Sequence, residues 1–102
     1  MMREEVDMFA VVGTWKMDTS LSERQAQMLP MIVAGVRQNE GFVRGFWSND
    51  VDEPETNVTF VVFDTRGQAE DFRKAVLGNA PAQAESGMDH TNLRIVEIAA
   101  EA

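Results

Sequence analysis

Two tryptophans, Trp15 and Trp47, are the residues of this 102-residue chain best suited to grip a flat ligand. An indole offers a broad apolar face and one N–H donor. Phe46 and Phe72 would extend the same aromatic surface around a substrate. Three polar residues are candidates for chemistry beside them. His90, the single histidine, titrates near neutrality in its free state and suits a general base. Arg44 lies two positions from Phe42 and from Phe46. It either stands at a pocket mouth, where it would hold an anionic oxygen, or pairs with Glu97 across a sheet. Asn49 offers a donor to a substrate carbonyl. Each has a plainer use: the tryptophans as core or interface packing, His90 as a solvated loop residue, Asn49 as a turn former.

Two other motifs carry little. Asp50, Asp52, Glu53 and Glu55 lack the glycine and closing glutamate of a calcium loop, so they form a solvated turn and no metal site is expected. Asn57-Val58-Thr59 matches a glycosylation acceptor, but it begins a strand in a chain without a secretory signal and is discounted.

The elements that must position these residues follow from periodicity. Residues 6–17, rich in Val, Phe and Trp, form a first strand. Residues 18–22 supply turn and cap residues, with Ser20–Glu23 or Ser22–Gln25 as a capping box. A helix follows to about Asn39, with Met28, Leu29, Ile32, Val33 and Val36 on its apolar stripe and a kink expected at Pro30. Gly41 ends it. Residues 42–49 and 58–64 are the second and third strands, joined by the polar loop 50–57. Thr65 with Gln68 caps a second helix to Leu77, with Ala69, Phe72, Ala75 and Val76 inward. Residues 79–91 read as a loop that contains His90, and residues 93–99 as the last strand. The order β-α-β-β-α-β gives an α+β, ferredoxin-like antiparallel sheet with two helices on one face, in a single domain.

Both faces of most strands are apolar. Phe9, Val11, Trp15 and Met17 alternate with Met8, Ala10 and Val12; Phe60 and Val62 alternate with Val61 and Phe63. Two helices cover one face only, and the exposed remainder would exceed what soluble monomers tolerate. A homodimer built sheet against sheet is the simplest remedy.

Composition narrows the partners. A net charge of −8 and a pI near 4.5 repel nucleic-acid phosphates and anionic lipid headgroups. The absence of cysteine excludes disulfides and thiolate chemistry. No stretch approaches the ~18 apolar residues of a membrane span. A cytoplasmic protein is expected, with no nucleic-acid or membrane partner.

Three segments carry a family resemblance: Phe9-Ala10-Val11-Val12-Gly13-Thr14-Trp15, Asn39-Glu40-Gly41-Phe42, and Phe60-Val61-Val62-Phe63-Asp64-Thr65 running into Gln68-Ala69-Glu70-Asp71-Phe72. With these the chain resembles the dimeric α+β barrel superfamily, and most closely the antibiotic-biosynthesis-monooxygenase-like domains. The resemblance implies a ferredoxin-like protomer paired with a second copy through its sheet. It also implies a cavity between sheet and helices for a small aromatic or hydrophobic ligand. Some members oxidise that ligand with molecular oxygen and no metal or flavin, so no cofactor is expected. The haem-degrading branch uses an Asn on the first strand, a Trp further along and a His on the second helix. Here the first strand has Thr14 and Trp15, and the second helix has Phe72 and Arg73, which disfavours haem degradation.

Two rivals share the element order. An RNA-recognition domain would echo Phe60-Val61-Val62-Phe63, but Val58 and Thr59 replace its basic residue and glycine. An acylphosphatase-like phosphate loop fails at Asp18-Thr19-Ser20, which has neither glycine nor arginine. Two functions remain: a cofactor-independent monooxygenase acting on a small aromatic or phenolic substrate, and a non-catalytic dimeric module binding a hydrophobic ligand or partner. Polar groups converging inside the cavity would separate them.

Overall fold

Alternating β-branched and aromatic residues build the strands. In the computed structural model, which describes residues 7–102, four strands form one antiparallel sheet ordered β2-β3-β1-β4. They are β1 (Phe9–Met17), β2 (Phe42–Asn49), β3 (Thr56–Phe63) and β4 (Met88–Glu97). The helices are α1 (Ser22–Arg37), α2 (Arg66–Gly78) and the short α3 (Ala80–Glu85). This is the expected ferredoxin-like arrangement with α3 added. Val6, expected to open the first strand, lies outside the described residues.

The segment expected as a loop, residues 79–91, is instead α3 and the start of β4. Alanines favour the helix, and Pro81 sits in its first turn, where a missing N–H costs nothing. Gly87 then turns the chain at φ 73°, so β4 begins at Met88 rather than Leu93 and takes His90 into the sheet.

The start of α1 also differs from expectation: neither capping box forms. Asp18 Oδ1 accepts from the Ser20 N–H at 3.0 Å and the Ser20 hydroxyl at 2.7 Å, capping a 3-10 turn, Thr19–Leu21, that leads into α1. These bonds hold the Asp18 carboxyl below its ordinary pKa. The turn moves the cap position to Leu21, which has no acceptor. Gln25 is thereby free to donate to the Asp18 carbonyl at 3.0 Å and the Ser86 carbonyl at 2.9 Å, tying α1 to the turn before β4. α1 continues as one helix through Pro30. The predicted cap of α2 is present in both halves: Thr65 Oγ1 accepts from the Gln68 N–H, and Gln68 Oε1 from the Thr65 N–H, each at 3.2 Å.

Val11, Val61, Phe63 and Ala69 form the buried core between sheet and helices, with Phe9, Phe42, Phe72 and Ile95 packed on it. Phe63 meets Phe72 at 5.1 Å between ring centroids. Full burial of such a side chain is worth roughly 1.5–3 kcal/mol.

Two bulges reset which residues face the helices. In β2, Phe42 pairs with Phe63 but Arg44 with Val62, so the strand slips at Val43. In β4, Asn92 pairs with Thr14 but His90 with Trp15, so Thr91 is the extra residue; its hydroxyl donates to the Thr14 carbonyl at 3.2 Å.

The outer face carries no helix, yet Ala10 and Val62 are buried there. They share a row with Val96 on β4 and Arg44 on β2, the two edge strands. Arg44 bonds Glu101 at 3.3 Å, so the segment after β4 crosses the sheet from one edge to the other. Phe46, 58% exposed, and Val58, 37% exposed, stand beyond this crossing.

Candidate functional site

Each tryptophan follows a glycine by two positions, in Gly13-Thr14-Trp15 and Gly45-Phe46-Trp47. Residues two apart on a strand share a face, and each indole folds back over its glycine. A Cβ on Gly13 would lie 2.7 Å from Trp15 Nε1 and 2.8 Å from Thr59 Oγ1; one on Gly45 would lie 3.0 Å from the Trp47 ring. The glycines thus make room for indoles lying along the sheet. Trp15 is held further by its N–H, which donates to Thr59 Oγ1 at 3.0 Å.

Strand register completes the site as two adjacent rows on the helix-facing side. One row runs Asn49, Asn57, Trp15, His90 across the four strands; the next runs Trp47, Thr59, Gly13, Leu93. At the β2 side of these rows lies a pocket of about 130 Å³. Trp15, Trp47, Asn49, Asn57 and Thr59 line it from the sheet, and Leu29 and Ile32 roof it from α1. Asn49 and Asn57 face each other directly across β2 and β3, and neither carboxamide has a hydrogen-bond partner among the described residues. Among the described residues no ionisable side chain lines the pocket. The arrangement can stack an aromatic ring and hydrogen-bond it, but a proton must leave to a group outside the lining.

The structure brings Trp15, Trp47 and Asn49 together and separates the other candidates. His90 stands beside Trp15 edge-on, with centroids 5.6 Å apart and planes at 77°, on the side away from the pocket. Arg44 and Phe46 point to the outer face, because the bulge at Val43 reverses the alternation that would have kept them with Phe42. Arg44 therefore guards no pocket mouth, and it pairs with Glu101 rather than Glu97. Phe72 packs on Phe63 and lines a different cavity, an open groove of about 330 Å³ between α1 and the α2–α3 pair. That groove is mainly apolar and touches the tryptophan pocket only through Ile32, which lines both.

Asn57 and Thr59 are site residues that sequence reasoning passed over. They share the alternation of Val61 and Phe63, which was enough to put them on the helix-facing side.

No protein-family model and no curated relative matches this sequence. Solved structures do match in shape. A proposed antibiotic biosynthesis monooxygenase from Deinococcus radiodurans superposes with a TM-score of 0.68 at 20% identity, covering 92% of this chain and 93% of that one. SnoaB, a cofactor-independent oxygenase from Streptomyces nogalater, gives 0.69 at 18% identity, covering 93% and 96%. The heme-degrader MhuD from Mycobacterium tuberculosis, solved with two hemes in its active site, gives 0.71 at 10% identity, covering 92% and 98%. At these identities the likeness establishes a shared fold, that of the antibiotic-biosynthesis-monooxygenase-like proteins.

Proposed function

We propose that this chain belongs to the antibiotic-biosynthesis-monooxygenase-like proteins and acts as a cofactor-independent oxygenase on a small aromatic or phenolic substrate held between Trp15 and Trp47. The observation that carries this is the pocket in which both indoles, each seated on a glycine, meet the free carboxamides of Asn49 and Asn57. In such chemistry the electron-rich ring, once deprotonated, activates oxygen itself. The protein contributes burial, stacking, and donors from Asn49, Asn57 and Thr59 to the developing oxyanion. His90, edge-on to Trp15 at 5.6 Å between ring centroids, is the candidate to receive the proton. A cavity of about 130 Å³ suits one ring, since an engineered apolar cavity of about 150 Å³ in another protein admits benzene. A haem macrocycle is far larger.

The proposal includes a homodimer through the outer face, where Phe46 and Val58 are exposed. The tryptophan pocket lies on the opposite side of the sheet, so each protomer keeps its own. A second reading is favoured by one observation, the lack of an ionisable group in the lining: a binding module that holds the ring without converting it.

Oxygen uptake with a panel of single-ring phenols separates the two. Consumption that falls at least tenfold in His90→Ala and in Trp47→Phe supports the oxygenase. Ring binding without uptake supports the module.

A further inference from the structure

Two cavities border on α1, and one side chain belongs to both. Leu29 and Ile32 roof the tryptophan pocket, whereas Met28, Met31, Ile32, Gly35 and Val36 form the α1 side of the larger groove. Among the described residues Ile32 alone lines both cavities. Helical spacing accounts for this. Met28, Ile32, Gly35 and Val36 recur three or four positions apart and share one stripe, and Leu29, three positions before Ile32, lies beside it. Ile32 stands where the stripe meets the pocket roof.

The wall is stiff and has no substitute. A β-branched isoleucine in a helix keeps one χ1 rotamer about 90% of the time, so it does not swing aside for a ligand. The methionines of the groove, Met28, Met31 and Met88, are unbranched and repack readily. Gly35, three positions after Ile32, carries no side chain, and a Cβ there would meet nothing within 4 Å. Nothing on α1 would therefore replace the wall if Ile32 were shortened.

The pocket of about 130 Å³ suits one ring, and mainly apolar space of about 330 Å³ lies on the other side of Ile32. A fused second ring has this side chain between itself and the space that would bury it, so its apolar surface earns little affinity.

We infer that Ile32 is the specificity-determining residue of the tryptophan pocket: it confines the ligand to a single ring, and its removal joins the pocket to the groove and admits a two-ring phenol. This rests on the reading of the tryptophan pocket as the ligand site and adds what limits its substrate class.

The test is calorimetric titration of the full chain with phenol and 2-naphthol, accompanied by nitrogen-15 spectra of the indole N–H groups. Both tryptophans of the chain line the pocket and neither lines the groove, so their signals report where a ring sits. In wild type the second ring should improve affinity less than twofold. In Ile32→Ala the ratio of 2-naphthol to phenol affinity should rise about tenfold or more, with both indole signals shifted, as a hydrophobic pocket discriminates on one or two carbon atoms. Ile32→Val, the milder truncation, should move the ratio the same way by less. Leu29→Ala opens the roof without reaching the groove and should weaken both ligands alike. A wild-type chain that already gains tenfold from the second ring with its indoles shifted, a ratio that neither Ile32 variant moves, or a rise of equal size in Leu29→Ala overturns the role of Ile32 and leaves the pocket standing. Phenol that leaves both wild-type indole signals unmoved at millimolar concentration overturns the pocket and this inference with it.

Discussion

The two faces of the sheet are made of similar residues and are covered by different means. On the helix-facing side Val11, Val61 and Phe63 are at most 3% exposed, and Ala69 of α2 is fully buried against them. On the outer side Ala10 and Val62 are just as buried, but only where the segment after β4 crosses, and Phe46 remains 58% exposed. Helical cover is itself uneven: α2 buries Ala69 completely, whereas α1 has no fully buried residue. The tryptophan pocket lies under α1, where the cover is loosest, and Leu29 in its roof is 41% exposed. A site open to a ligand arises where a sheet row is lined with large side chains and the overlying helix is not pressed into it.

The largest effect should come from the tightest part of that comparison. Phe63→Ala should cost about 3–5 kcal/mol in urea unfolding, since it empties a fully buried ring site. Phe46→Ala, the same chemical change on the outer face, should cost less than about 1 kcal/mol at submicromolar concentration. Equal costs would mean that the outer face is covered as completely as the inner one.

Association should respond in the opposite sense. Light scattering at micromolar concentration should give twice the 11.4 kDa chain mass, and Phe46→Glu should return it to one chain mass without loss of secondary structure. A wild-type chain that is monomeric under these conditions removes the dimer from the proposal and leaves the outer face to another partner.

A smaller effect is expected at the crossing segment. Arg44→Ala should cost no more than about 1 kcal/mol, because both partners are largely exposed, at 56% and 42% of their side-chain surface. The difference from wild type should shrink in 1 M salt (Debye length about 3 Å). A loss that persists in high salt would show that the crossing is held by packing over Ala10 and Val62 rather than by the ion pair.

The smallest effect concerns the edge of the helix-covered side, where the Ser20 bonds lower the Asp18 pKa below 3.8. A depressed folded-state value adds stability that is present above the unfolded pKa and is lost as pH falls through the folded one. Acid titration of stability below pH 3.8 should therefore be steeper in wild type than in Asp18→Asn. Identical acid limbs would show that the turn at Ser20 does not depend on the carboxylate.

Much of the scaffold was legible in the residues. The second strand falls at Phe42–Asn49 as its composition indicates, and Thr65 with Gln68 announces the start of α2 through a local capping box. These depend on neighbours in sequence, so sequence suffices. The start of the first helix departs from its local signals because Asp18, two positions before Ser20, competes for the cap and wins. In residues 79–91 the helix-forming alanines stand beside Gly78 and Pro81, whose breaker signal masks both α3 and the early start of β4 that takes His90 into the sheet.

By itself the sequence determined the element order, the apolar alternation on both faces and the presence of a tryptophan on each of the first two strands. Only the tertiary structure decided which polar residues accompany them. A single extra residue at Val43 sends Arg44 and Phe46 outward, and another at Thr91 brings His90 beside Trp15. A bulge shifts the two-residue period of a strand by one, so every side chain beyond it changes face. Its position is set by pairing with a distant strand, and no local pattern of residues records it.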